Sequence, residues 1–122
     1  MARFSSFLVI AAVAAMAFVA IARPYEPSGW ITVPNVEKDS HVQYLGKFAV
    51  TRYNEQTKAY LEFIQVTEAQ VLDRGTEHYT YKLVIKVHDG YAVKFFKSEV
   101  FQDLSAPGQP PVLNLGYFIP SY

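Results

Sequence analysis

Three histidines, His41, His78 and His88, are the residues of this 122-residue chain best placed to exchange a proton near neutrality. His78 and His88 lie well apart on what reads as one strand face, too far for a single ion, and His41 falls in the first turn of a helix. All three read as surface side chains, so neither a metal nor a cofactor is expected. The absence of cysteine removes disulfides, thiolate catalysis and Cys-ligated metal centres together. No G-x-S-x-G elbow presents a serine nucleophile, and an enzyme is not expected. Tyr79, Tyr81, Tyr91 and Tyr117, four of nine tyrosines, read as strand packing rather than a sugar-binding surface. Lys82 and Lys86 alternate with Tyr79 and Tyr81 as the two faces of a strand do. With 11 basic and 11 acidic residues there is no cationic field, which excludes nucleic acid as a partner.

Residues 1–22 are apolar except for Arg3, Ser5 and Ser6. Arg3 followed by the run from Phe7 to Ala20 has the form of a signal peptide, with small residues at Ala20 and Ala22 for cleavage. The run is shorter than the ~20 residues that span a bilayer. Cleavage after Ala22 is therefore expected, with secretion or the vacuolar route as the destination and no membrane attachment afterwards. Residues 23–122 then form one domain with about 43 apolar residues, 16 or so of the domain being aromatic. Tyr and Phe are expected to supply much of its core.

Pro24, Pro27, Gly29 and Pro34 forbid a helix near the start and predict an extended arm. Ser40 and Gln43 have the spacing of a capping box, and Val42, Leu45, Phe48, Ala49 and Arg52/Tyr53 form one helical stripe, leaving Lys47, Asn54 and Glu55 in water. Gly46 weakens that helix unless a strand packs closely there. From Tyr60 the period becomes 2: a strand to Leu72 with a bulge near Ile64 and Gln65, a turn at Asp73-Arg74-Gly75, and a strand with Tyr79, Tyr81, Leu83, Ile85 and Val87 on one face. Asp89-Gly90 predicts a two-residue hairpin turn before a strand from Tyr91 to Phe101. Ser105 to Pro111 is a loop, and Val112 to Tyr117 an edge strand. The expected fold is α+β, one helix packed on an antiparallel four- to five-stranded sheet.

Gly29-Trp30, Val33-Pro34-Asn35-Val36, the helix stretch from Leu45 to Asn54 and Leu61-Glu62-Phe63 resemble the plant cystatins, the phytocystatins. The resemblance implies a cystatin-like domain that reversibly inhibits papain-like cysteine proteases with a three-part wedge. Its parts would be the arm at Ser28 and Gly29, the first hairpin loop at Val71, Leu72, Asp73, Arg74 and Gly75, and the second at Leu104 and Ser105. Each departs from the family pattern. Ser28 replaces a glycine, aligning on Gly75 puts Asp73 where the family has a central Val, and Leu104-Ser105 replaces Pro-Trp.

Those changes bear on energy. A dry cleft rewards a small apolar tip, whereas the Asp73 carboxylate would lose hydration beside a catalytic thiolate. Losing Trp removes a frequent interface anchor. Two functions follow: a secreted inhibitor, weak or selective in its target, and alternatively a cystatin-fold interaction module without inhibitory activity. A monomer is expected, with a domain-swapped dimer as the other arrangement.

Overall fold

The computed structural model describes residues 29–121; the signal peptide assigned to residues 1–22, and Ser28, lie outside them. A short strand β1 (Ile31–Thr32) and one 3-10 turn (Val36–Lys38) lead into helix α1 (Ser40–Thr57). Strands β2 (Glu62–Asp73), β3 (His78–His88), β4 (Val93–Asp103) and β5 (Val112–Pro120) follow. The sheet is antiparallel with strands in sequence order. This is the expected α+β architecture, with α1 against one sheet face.

Helix α1 starts one residue earlier than a capping box at Ser40 would set it. Asp39 is the N-cap, and its carboxylate accepts from Val42 N at 3.1 Å. Gln43 is thereby free for a different task. Its Nε2 donates to Val36 O at 2.8 Å and Val66 O at 3.1 Å, and its Oε1 accepts from Val66 N at 2.8 Å. Asn54, expected in water, treats Leu61 the same way: Nδ2 donates to Leu61 O at 2.9 Å and Oδ1 accepts from Leu61 N at 3.1 Å. The two carboxamides stand about three helical turns apart, roughly 16 Å of rise. Leu61 and Val66 are separated by a similar ~16 Å of extended chain, so the helix and the strand start match.

The buried face of α1 is Val42, Leu45, Gly46, Ala49 and Val50. It meets Val66 and Ala69 of β2, Leu83, Ile85 and Val87 of β3, and Phe96 and Val100 of β4. A Cβ built on Gly46 would overlap Val66 Cγ2 and touch Phe63 Cε1 at 3.0 Å, so glycine lets the helix lie close to β2. The core is aliphatic. Phe96 is the one aromatic fully inside it among the described residues, while Tyr53, Phe96 and Phe118 form a stacked group beside it, with ring centroids 4.4 Å and 4.8 Å apart for the two Phe118 pairs. Phe48 and Tyr81 are only partly buried, which corrects the expectation of a Tyr- and Phe-built core.

Strand β2 has irregular pairing with β3 between Phe63 and Gln65, where a bulge was expected, and again between Val66 and Glu68. The β3–β4 connection is longer than the predicted two-residue turn. Asp89 Oδ1 accepts from Tyr91 N at 2.8 Å and Ala92 N at 2.9 Å, and Asp89 N donates to Ala92 O, closing a four-residue loop. A carboxylate that gathers two amides outweighs the Asp-Gly turn preference.

Candidate functional site at one end of the sheet

The β2–β3 loop, the β4–β5 loop and the start of the arm lie at the same end of the sheet, and backbone contacts join them. On the arm, Gly29 has φ +84° and backs onto Leu72, whose Cδ1 would sit 3.3 Å from an added Cβ. Trp30 covers the Lys82 ammonium at 4.4 Å, Ile31 and Thr32 pair with Val71 and Gln70, and Val33 N donates to Ala69 O at 2.9 Å. The arm is thus zipped to β2 up to the point where that strand ends.

Of the five residues assigned to the first loop, Val71, Leu72 and Asp73 are still in β2, paired with Tyr81, Thr80 and Tyr79. Arg74 and Gly75 leave the ladder, and the turn continues through Thr76 and Glu77 before β3 starts at His78. Asp73 is not a bare carboxylate, since its Oδ1 accepts from Gly75 N at 2.8 Å. Arg74 N donates to His78 O and His78 N to Gly75 O, a tight closure that holds Gly75, Thr76 and Glu77 at positive φ. Thr76 and Glu77 at φ 50° and 62° are the strained members, because side chains rarely adopt that region. No residue pattern announces this: neither is Gly or Asn, and the chain is forced there by the pairing on both sides.

The second loop runs over residues 104–111, with Leu104 half-buried and Ser105 exposed. Leu104 N donates to Glu77 O at 2.9 Å, a direct bond between the two loops. Asp103 closes the base. Its Oδ1 accepts from Ser105 N at 2.8 Å and Ser105 Oγ at 2.6 Å, and its Oδ2 lies 3.3 Å from His78 Nε2. Those Ser105 bonds, with the His78 charge behind them, hold the Asp103 carboxyl below the usual carboxylate range.

Beneath the loops, His41 Nε2 lies 2.6 Å from the Oε1 of buried Gln102, and its ring meets Tyr81 edge-on at 5.9 Å. Burial above all, then the charge of Asp39 and the neighbouring Tyr79, raises the Tyr81 phenol above its ordinary value. This contact pins the helix start to β4 just before the second loop. Thr76, Glu77, His78 and Asp103 are the residues of this end that the sequence reading did not assign to it. Only strand register brings them together.

Among the described residues no group of three or more His, Asp or Glu side chains could hold a metal ion. Arg74, Thr76 and Glu77 of the first loop and Ser105 of the second are exposed.

A family model described as aspartic acid proteinase inhibitor (SQAPI) matches residues 34–105, more than half of the chain. Cystatin-1 from Zea mays is 34% identical over 71 residues, which cover 57% of this chain and 50% of that protein. The chain therefore spans about half the length of the curated relative it matches. The family model's span takes in α1, β2, β3, β4 and the start of the second loop. With its helix on a five-stranded antiparallel sheet and this matched span, the chain belongs to the aspartic acid proteinase inhibitor family, a cystatin-like family of inhibitors and not of enzymes.

Proposed function

We propose that this protein inhibits a proteinase by inserting the edge formed by Gly29, the β2–β3 loop and the β4–β5 loop into the enzyme's cleft. The observation that carries the reading is the bond from Leu104 N to Glu77 O, which makes two separate loops one preformed surface. Preformed backbone loses little conformational freedom on binding, so more of the contact energy appears as affinity. The family description points to an aspartic proteinase as the target. The exposed Arg74 of the first loop suits that class, because its cleft holds two carboxylates sharing one proton. A guanidinium placed near them is attracted, and the exposed Glu77 carboxylate of the same loop must then face away from them.

A papain-like cysteine protease is the second reading, favoured by Gly29, the arm residue that the cystatin resemblance implies, which here lies against Leu72. The bond from Gly75 N to Asp73 Oδ1 partly replaces the hydration that a dry cleft would remove. Asp73→Val should then tighten binding only to the cysteine enzyme.

The test is a pair of titrations, one against pepsin and one against papain, with wild type and Arg74→Glu. Inhibition of pepsin that weakens about tenfold in Arg74→Glu supports the first reading. Inhibition of papain alone selects the second. Full activity of both enzymes at micromolar excess would leave a non-inhibitory interaction module. The protein acts as a monomer in this scheme, and a domain-swapped dimer would show as a second species by size-exclusion chromatography. Its place of action is extracellular or vacuolar, reached by way of the signal peptide of residues 1–22.

A further inference from the structure

His78 sits where both loops can be held at once, and each of its ring nitrogens faces an acceptor. Nδ1 is 2.9 Å from Thr76 O and 3.1 Å from Thr76 Oγ1, and that hydroxyl already donates to Gly75 O at 2.7 Å. A carbonyl oxygen can only accept, so Nδ1 must carry a proton. On the other side Nε2 lies 3.3 Å from Asp103 Oδ2, and a carboxylate also only accepts. A neutral imidazole has one N–H and one lone pair, so it can serve one of these contacts while turning a lone pair toward the other.

We propose that His78 is a positioning residue that latches the two loops together when doubly protonated and releases one of them when it loses a proton. Protonated, the ring ties Thr76 in the first loop to Asp103 at the base of the second, flanking the Leu104 N to Glu77 O bond. Deprotonated, it sets a nitrogen lone pair against either Thr76 O or Asp103, and that side opens.

The charged groups around the ring fit this role. Asp103 faces it from β4, and its Ser105 bonds keep it ionised in mild acid, so the acceptor persists where imidazolium forms. Asp73 ends β2, and Arg74 and Glu77 belong to the same loop; Arg74 N, not its guanidinium, is what reaches His78. Tyr79 follows on β3. From α1, His41 reaches Gln102, the neighbour of Asp103, on the opposite sheet face. His88, at the far end of β3, has the reverse requirement, since its Nδ1 accepts from Gly90 N at 3.1 Å and is satisfied when neutral. The sign is therefore definite. The edge is most firmly held when the imidazole is doubly protonated and loosens as pH rises.

This inference rests on the proposed wedge for its meaning, and its first test is independent of inhibition. Amide hydrogen exchange of the intact protein, followed by NMR and corrected for the intrinsic pH effect, reads the Leu104 amide directly. Protection there should be about threefold greater at pH 5 than at pH 8 in wild type and flat with pH in His78→Gln. His88→Gln should behave as wild type at Leu104. A Leu104 amide whose protection ignores pH in wild type, or changes equally in His78→Gln, overturns the latch. Inhibition constants for wild type and His78→Gln, at pH 4 and pH 6 with one acid-active proteinase, form the second arm. A pH-dependent latch without inhibition refutes the proposed function and upholds the device; inhibition with pH-indifferent loops does the reverse.

Discussion

Gly46→Ala improves the helix by every local criterion and should nevertheless destabilise the protein. Replacing a glycine inside a helix by alanine gains about 1 kcal/mol of propensity. The added methyl, however, would occupy the space of Val66 Cγ2 and press on Phe63 Cε1. Overfilling a packed interior costs about 1–3 kcal/mol. The upper end applies, because Val66 is buried and tied to α1 through both its N–H and its C=O by Gln43, so strand and helix cannot move apart without breaking those bonds. The net loss is about 2 kcal/mol, or a fall in melting temperature of roughly 8–16 °C for a domain of this size. Thermal and urea unfolding followed by circular dichroism would measure it, with Lys47→Ala on the exposed face as the control. Val66→Ala should recover part of the loss in the Gly46→Ala background, a coupling that separates crowding from any general effect. A Gly46→Ala protein that melts at or above wild type would refute the close approach of α1 to β2.

Phe48→Ala should cost about 2 kcal/mol by chemical denaturation, less than a fully buried ring would, because Phe48 is only partly buried and the Arg52 guanidinium lies 5.4 Å from its centroid. A loss above about 4 kcal/mol would mean that the ring sits deeper. In the β3–β4 loop, the bond to Lys94, then the amides of Ala92 and Tyr91, hold the Asp89 carboxyl far below its usual range. Its contribution is then present above about pH 4 and is lost as pH falls toward the folded-state value. The melting-temperature gap between wild type and Asp89→Asn should accordingly narrow from pH 7 to pH 2, and an unchanged gap would show that the charge plays no part. Intact-mass analysis of secreted protein should give Arg23 as the first residue, and a species retaining residues 7–20 would overturn the signal-peptide assignment.

What the sequence made legible was what neighbours along the chain decide. The 3.6 period from Val42 to Ala49 and the alternation from Leu83 to Val87 are repeated many times over, so they survive local exceptions. Less legible were side chains whose partners lie elsewhere in the chain. Gln43 has the spacing to cap its own helix, yet Asp39 caps it and Gln43 bonds Val66. The same holds at the candidate edge. Gly29 and Gly75 are visible as turn formers, but Thr76 and Glu77 take positive φ only because the closing bonds impose it. His78 reads as a surface histidine until the register sets Asp103 opposite it. Composition likewise suggested an aromatic interior, whereas the close fit of α1 on β2 admits mainly aliphatic side chains.

Gln43 and Asn54 also bear on how copies of this protein meet one another. A sheet recruits foreign chains through unanswered backbone groups along its rim, and a long open rim is a template for fibres. On the β2 side those groups are answered at Leu61 by Asn54, at Val66 by Gln43, at Ala69 by Val33 and beyond that by β1. The open rim is β5, whose stretch from Val112 to Pro120 carries no charge to repel a visitor. The rim on the β2 side thus leaves a visiting strand fewer open backbone groups than the rim at β5, because two carboxamides of the helix already occupy places that a foreign chain would take.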